Sequence, residues 1–416
     1  MDARDDIVVI GGGVIGLACA LALLEAGRSV RVLEARTVGC GSSHGNCGTL
    51  TPSHAGPLAA PGTIGKALKW MLTPDAPFYV KPRIDPALWR WFARFAARCN
   101  ARDWQDAMRH KGALLSESRA AFPDWVARNG LDCEFAESGV DYLFRSQAGL
   151  AHDLAEVEPL RALGVPVEVI DGAAYERGEP AVKPGLAGVI RFPGDARLRP
   201  DRYVAELARV VRARGGAVEE HCEARDLQPE RDGVRIDTAH GPRHARDVVL
   251  AAGAWSPRLA RSAGLMALPI QPGKGYSITY DRPALVPACP VVLRERSVCV
   301  TGWDSGFRLG STMEFSGYDT TLNRARLDAL ERGAAEYLHA PVGPAKREEW
   351  FGWRPLTFDD LPVIGRMPGH RRVWAATGHG MMGMGMSPGT AQLLADLVCE
   401  RAPRIDPAPY RAERFL

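Results

Sequence analysis

Four apolar residues in succession, 7–10, open the pattern of this chain, between acidic residues on one side and glycine on the other. A short unbroken apolar run of this kind reads as a strand buried on both faces of a parallel sheet. It feeds into Gly11, Gly13 and Gly16, then into an apolar stretch, 14–26, that predicts a helix closed at Gly27. A second strand, 30–33, ends at Glu34 and Ala35. Residues 66–125 read as helical. Within them Leu88, Phe92, Phe95 and Cys99 recur at helical spacing, with Trp89 and Trp91 to the side and Arg90, Arg94 and Arg98 opposite. Asp85 suits an N-cap there and Pro86 the first turn.

From 133 to 189 short alternating segments separated by Gly and Pro predict an antiparallel sheet, unlike the parallel N-terminal unit. A helix over 200–214, stopped by Gly215 and Gly216, precedes a strand, then a hairpin turning at Asp232 and Gly233. A buried strand, 248–251, runs into the small-residue turn of Ala252 and Gly253, with Trp255 just beyond. Alternation resumes over 265–344. The chain closes with a strand at 373–376, a glycine-rich turn and a helix over about 388–400. The expected fold class is α/β plus α+β: a nucleotide-binding domain from 1–84, 196–264 and 345–416, and an antiparallel-sheet domain from 85–195 and 265–344.

The three N-terminal glycines have separate physical duties. Gly11 permits a tight turn, Gly13 lets a pyrophosphate approach the backbone, and Gly16 lets the helix pack on the strand. The helix start at Val14 and Ile15 then offers N–H groups and a positive dipole end to phosphate. Glu34, about 20 residues on, can accept hydrogen bonds from a ribose diol and would repel a 2′-phosphate, so the ligand expected is the ADP half of FAD or NAD, not NADP. The segment after it, TVGCGSSHGNCGTLTPSHAGPLAAPG, is too irregular for an element and too close to the nucleotide to be a linker. Ser42, Ser43, Asn46 and Gly48 in it are expected to run along the cofactor.

A second G-x-G-x-x-G, at Gly378, Gly380 and Gly383 with Met381 and Met382 between, lacks a following strand and acidic terminus. Its helix is expected to point its N-terminus at a flavin ring and stabilise the anionic reduced form. No nicotinamide-binding unit remains, so the electrons are expected from a small organic substrate.

Composition narrows this further. In 416 residues, 52 basic and 49 acidic side chains leave a net charge of +3, which implies no nucleic-acid-binding face. The nine cysteines show no C-x-x-C pair or metal-ligand spacing, so no metal is expected. The start, MDARDD, has no basic n-region, and no stretch reaches about 18 uninterrupted apolar residues. The expectation is a cytoplasmic protein, soluble or resting peripherally on the inner membrane through the basic, Trp-bearing helix. The alternative for that helix is ordinary packing on a domain.

The motifs GGGVIGLACA with LEA, SSHGNCGTLTPSHA, VVLAAGAWSP, GKGYSIT, GWRPLTFDDLPVIG and ATGHGMMGMGMSPGTAQLLADL together resemble the FAD-dependent D-amino acid oxidase superfamily, most closely bacterial D-amino acid dehydrogenases. The similarity spans essentially the whole chain. It implies an FAD domain of glutathione-reductase type and a substrate domain whose sheet covers the ring. The loop departs from the family where SSHGNCG replaces an aromatic or Tyr-Ala type sequence before Asn46, and His44 and Cys47 are its two residues able to attach flavin covalently.

Arg354 in GWRP matches the family's carboxylate-binding arginine, and a guanidinium fork does fix a carboxylate geometrically. The alternative is a structural ion pair with Asp359 or Asp360. Tyr276 is expected to cap the same carboxylate or to be a core aromatic, and His379 is a base by type. The implied reaction takes hydride from Cα of a D-amino or D-imino acid to flavin N5. It gives an imine that hydrolyses to a 2-oxo acid and ammonia, or stays cyclic from a D-proline or D-hydroxyproline type substrate. No strong base is required if the amine binds neutral. Open alternatives are a sarcosine- or glycine-type amine oxidase, a 2-hydroxyacid dehydrogenase, and a non-catalytic flavin-binding subunit. The electron acceptor, a membrane quinone or oxygen, stays open.

Overall fold

The computed structural model describes residues 4–71 and 78–416. The apolar run becomes the strand Asp5–Ile10, central in a parallel sheet ordered Ala217–Glu219, Val30–Leu33, Asp5–Ile10, Gly241–Leu250, Val373–Thr377. Gly241–Leu250 is long enough to serve twice. Its second half pairs in parallel with Asp5–Ile10 and Val373–Thr377, and its first half continues an antiparallel hairpin of Ala224–Pro229 and Val234–Thr238. The helix Val14–Glu25 buries ten of its twelve residues because it lies on the sheet and under the helices Pro200–Ala213 and Gly383–Val398. That placement accounts for its being apolar all round.

Among the described residues the second sheet has nine strands. Its path is Lys346–Thr357, Ile270–Tyr280, Gly306–Phe315, Val298–Trp303, Val291–Leu293, Val140–Phe144, Gly188–Phe192, Glu168–Asp171, with Phe78–Val80 beside Gly306–Phe315. The expectation of an antiparallel sheet needs two corrections. Val291–Leu293 pairs in parallel with Val140–Phe144, as does Phe78–Val80 with Gly306–Phe315. Between 144 and 188 the helices Gln147–Leu154, Val157–Ala162 and Gly172–Gly178 interrupt the strands.

The expected boundaries at 84 and 345 are also corrected, because Phe78–Val80 and all of Lys346–Thr357 pair in the second sheet. Lys346–Thr357 matches Ile270–Tyr280 along its whole length, so backbone pairing, and not nearness in sequence to the last parallel strand, decides where it belongs.

Residues 66–125 resolve into parts of Thr63–Met71, Pro86–Arg98 and Ala101–Asn129, and the expected helix across 72–77 lies outside the described residues. Asp85 caps Pro86–Arg98 as expected, accepting from the N–H groups of Ala87 and Leu88. Its inner face is Leu88 and Trp91; Trp91 Nε1 donates to the carbonyls of Pro269 and Leu356, while Trp89 faces out. The last helix starts five residues earlier than expected, at Gly383. Pro388 therefore sits inside it, where it cannot donate to the Met384 carbonyl; Ser387 Oγ does so instead at 2.8 Å. Among the described residues no helix is long and apolar enough to cross a membrane.

Candidate active site

One cavity of about 1000 Å³ runs from the C-terminal ends of the parallel strands to the inner face of the second sheet. At its nucleotide end Gly11 has φ +116°, and a Cβ there would lie 2.5 Å from the Ala251 carbonyl oxygen. A Cβ at Gly16 would run into the Gly11 carbonyl oxygen, so this glycine serves close packing of helix on strand. Gly13 differs. A Cβ there would meet only Ser43 Oγ, at 3.4 Å, so nothing in the chain itself forbids a side chain. Glu34 is held by the N–H groups of Gly12 (2.8 Å) and Arg36 (2.9 Å), and Ser43 Oγ accepts from the Val14 N–H at 3.1 Å. Ala35, Ala252, Gly253 and Trp255 complete this end.

The turn before the last helix faces it. Gly380, Met381, Met382 and Gly383 border the cavity, and Gly383 lies beside Ile15. The N-termini of Val14–Glu25 and Gly383–Val398 thus converge on one space, and their free N–H groups favour negative charge there. Three expected cofactor residues do not border the cavity: Gly16, which serves the packing of helix on strand, Gly48 (φ +76°), where a Cβ would strike the Leu198 carbonyl, and Gly378 (φ +78°), which packs on Thr357. Gly48 and Gly378 are corrected to structural glycines. Ser42 borders the cavity, but its hydroxyl donates to the Trp353 carbonyl; Asn46 Oδ1 likewise accepts from the Gly48 N–H.

The second sheet closes the cavity with one row of residues in register across seven strands: Trp350, Ser277, Gly310, Cys299, Val292, Tyr142 and Ile190. Ser277 and Gly310 are small because loop 41–47 rests on them, with Trp350 against Gly45 and the Cys47 sulfur over Gly310. Arg354 shares the Trp350 face of Lys346–Thr357. Its guanidinium lies over Gly275, where any Cβ would collide, and Nη1 donates to the Thr312 carbonyl at 2.6 Å. Thr312 has φ +66°, unusual for a β-branched residue, at a bulge that turns this carbonyl toward the guanidinium. Among the described residues Thr312 Oγ1 and Ser277 Oγ are buried without a hydrogen-bond partner, and neither residue borders the cavity.

Among the described residues no carboxylate pairs with Arg354. Asp359 is held by Arg414 at 2.8 Å and Asp360 by Lys111 at 2.6 Å, so the structural ion pair weighed above does not form. Burial lowers the pKa of the Arg354 guanidinium and the Cys47 sulfur raises it. The wall therefore presents a positive fork to the cavity.

Tyr276 and His379 border the cavity but present no functional group to Arg354. Tyr276 is one residue out of phase with Gly275; its side chain enters the core behind the sheet, where the hydroxyl donates to Glu314 at 3.2 Å. Burial and Glu314 push that phenol far above its ordinary range. The His379 ring pairs with Thr390 Oγ1 at 3.0 Å, and burial drives it down to about 3, which keeps it neutral. His44, outside the cavity, pairs with Glu348 at 2.9 Å; Cys47 lines the cavity and all nine cysteines are free thiols. Missed in the sequence were Trp350, Cys299 and the buried Arg308, whose Nη1 donates to the carbonyls of His44 (3.0 Å) and Asn46 (2.7 Å) and so fixes the loop. The Gly310 and Gly275 positions on alternating strands were the available signal for Cys47 and Arg354 packing there.

An open approach at Gly13, a tethered carboxylate at Glu34 and two converging helix N-termini suit a dinucleotide whose far end reaches the second sheet. The DAO family, described as FAD dependent oxidoreductase, matches residues 6–397. The D-amino acid dehydrogenase of Granulibacter bethesdensis is 32% identical over 416 residues, covering 98% of this chain and 99% of that protein. That of Methylobacterium nodulans is 34% identical over 423 residues, covering 99% of each. Among solved structures, glycine oxidase from Geobacillus kaustophilus superposes with a TM-score of 0.80 at 25% identity over 98% of both chains. L-Proline dehydrogenase from P. horikoshii gives 0.75 at 19% identity, covering 100% of this chain and 98% of that one, a likeness of fold. The chain belongs to the DAO family of FAD-dependent oxidoreductases, and FAD is its cofactor.

Proposed function

We propose that this enzyme oxidises D-amino acids, with the substrate carboxylate held by Arg354 and Cα facing the flavin ring. The observation that carries the reading is a guanidinium on the cavity wall that, among the described residues, has no carboxylate partner. The relatives named D-amino acid dehydrogenase support the choice of substrate. When bound, FAD accepts a hydride from the carbon bearing the amine. The chain itself orients the substrate through Arg354 and keeps the site dry with Trp350 and the loop that Arg308 fixes.

Anaerobic mixing of the FAD-loaded enzyme with D- and L-amino acids, sarcosine and glycine, followed by the visible flavin band, tests this. Bleaching is expected with D-amino acids. Bleaching by sarcosine and glycine alone would move the enzyme to the secondary-amine class, and none with any amine would make it a flavin-binding subunit. Arg354→Ala should lose about 2–5 kcal/mol of transition-state binding in kcat/KM. Arg354→Lys should recover little, because a point charge does not reproduce the fork. An Arg354→Ala enzyme with unchanged kcat/KM would show that the carboxylate binds elsewhere.

We propose further that electrons pass to a membrane quinone from an enzyme lying on the lipid surface. The support is the helix Thr63–Met71, which buries none of its residues and exposes Ile64, Leu68 and Met71 beside Lys66 and Lys69. Lys66 lies close enough to Glu156, which lines the cavity, to act on its carboxyl group. Flotation with anionic vesicles should carry the enzyme up, and Ile64→Asp with Leu68→Asp should release it. An enzyme that stays at the bottom with anionic vesicles ends this proposal.

A further inference from the structure

The cavity does not stop at Arg354. On one side loop 41–47 covers Ser277 and Gly310, with Trp350 against Gly45, and that side is closed. On the other side the cavity runs past Cys299 over Val292, Tyr142 and Ile190, which stand in register on three adjacent strands. Two helices flank this floor. Trp104 and Met108 lie one turn apart in Ala101–Asn129, Val157 and Leu160 share a face of Val157–Ala162, and all four border the cavity.

The polar side chains of this chamber are spent on one another. The Tyr142 hydroxyl pairs with His54 Nδ1 at 2.9 Å, its ring meets Phe192 edge-on at 4.9 Å between centroids, and the Arg294 guanidinium lies over it at 5.0 Å. Arg294 is itself paired with Asp153 at 2.5 Å, and Ser53 Oγ donates to Asp195 at 2.5 Å. Burial drives the His54 imidazole down to about 3, so it adds no charge. Glu156, which also borders the chamber, is exposed to water. A side chain entering here therefore meets apolar surface and no free polar partner inside.

The chamber is also the right distance away. Arg354 Nη1 bonds to the Thr312 carbonyl on Gly306–Phe315, and at about 4.8 Å per strand Val292 lies about 10 Å from that strand and Tyr142 about 14 Å. A carboxylate oxygen sits about 3 Å from the guanidinium nitrogen that holds it. An alanine methyl stands only about 2.5 Å beyond the carboxyl carbon, short of Val292, whereas a phenylalanine ring reaches about 4 Å further.

We infer that this chamber receives the substrate side chain, and that the enzyme prefers D-amino acids with large apolar side chains, such as phenylalanine, leucine and methionine, to alanine and to charged ones. The inference rests on the D-amino acid reading above and names the substrates of that same site. A large apolar side chain leaves water for Val292 and the flanking helices. A lysine or glutamate side chain would give up its hydration for a wall whose charges are already paired.

In flavin reduction, kcat/KM for D-phenylalanine and D-leucine should exceed that for D-alanine by about 10²-fold, with D-lysine and D-glutamate no better than D-alanine. Val292→Trp, which fills the floor, should lower the ratio of D-phenylalanine to D-alanine by about tenfold or more. The ratio is the readout because any loss of folded enzyme lowers both values alike. A measurement without turnover uses carboxylates that carry no amine: 3-phenylpropionate should perturb the visible flavin band of the wild-type holoenzyme at about 10²-fold lower concentration than acetate. This titration decides the matter should Val292→Trp fail to fold. A wild-type preference for D-alanine or D-proline would overturn the inference. So would a preference for D-lysine, held by Glu156, or for D-glutamate, held by Arg294. Equal affinity for the two carboxylates, or an unchanged ratio in Val292→Trp, would likewise overturn it, and all of these leave D-amino acid oxidation in place. A flavin that no D-amino acid reduces would refute that reading itself, and this inference with it.

Discussion

Gly13 and Gly16 are three residues apart and indistinguishable in kind, yet the space around them assigns opposite roles. Alanine at Gly16 places a methyl on the Gly11 carbonyl, backbone against backbone, so helix and strand must separate. Gly16→Ala should cost the apoprotein about 1–3 kcal/mol. Alanine at Gly13 meets only a serine hydroxyl at ordinary contact distance, at a residue with φ −80°. Gly13→Ala should leave apoprotein stability within about 1 kcal/mol of wild type and weaken FAD binding. Urea midpoints of the apoproteins and flavin titrations separate the two effects. A Gly13→Ala protein that binds FAD as wild type does would show that the pyrophosphate passes elsewhere. The same scale decides between the two readings that the sequence left open for Tyr276, in favour of the core aromatic. Its type suited the role, but a strand alternates faces, and it is the neighbouring Gly275 that faces Arg354.

At the scale of elements, what local pattern dictates was legible. The strand, glycine turn and helix at 5–25, the helix Pro200–Ala213 ended by two glycines, the hairpin at Asp232 and Gly233, and the last strand all follow from periodicity and turn residues. What depends on a distant partner was not. Pro388 reads as a helix start, and only the Ser387 hydroxyl, in a position to satisfy the Met384 carbonyl, lets it sit inside Gly383–Val398. The bulge at Ser311 and Thr312, which aims a carbonyl at Arg354, leaves no mark in composition. The row from Trp350 to Ile190 draws on seven strands from both ends of the second domain, so Cys47 resting on Gly310 is a property of pairing register and of nothing nearer. Arg354 was singled out because a resemblance identified it; what the geometry adds is a guanidinium on the cavity wall, over Gly275 and bonded to the Thr312 carbonyl.

At the scale of the whole molecule, the two sheets are threaded through one another by the chain, and a single buried ion pair ties three of the crossings together. Lys111, in the long helix Ala101–Asn129, reaches Asp360 at 2.6 Å with both side chains almost wholly buried, and its ammonium also donates to the Gly56 carbonyl at 3.3 Å. Asp360 follows the last strand of the second sheet, has φ +58°, and accepts from the Leu58 N–H at 3.2 Å. The long helix, the loop that runs on from the flavin segment and the exit of the Arg354 strand therefore share one carboxylate. Removing only the cation leaves that carboxylate buried and unpaired, so Lys111→Met should destabilise the protein by about 3–5 kcal/mol. Adding Asp360→Asn should recover much of the loss. Asparagine tolerates the left-handed conformation, keeps an oxygen for the Leu58 N–H, and brings no charge that needs a partner. Urea denaturation of the wild type and of the single and double variants, each loaded with FAD, measures both steps. If Lys111→Met alone unfolds at the wild-type midpoint, the pair contributes nothing, and packing holds the three crossings together. If the double variant is no better than the single one, the ammonium matters for its place on the Gly56 carbonyl and not for its charge.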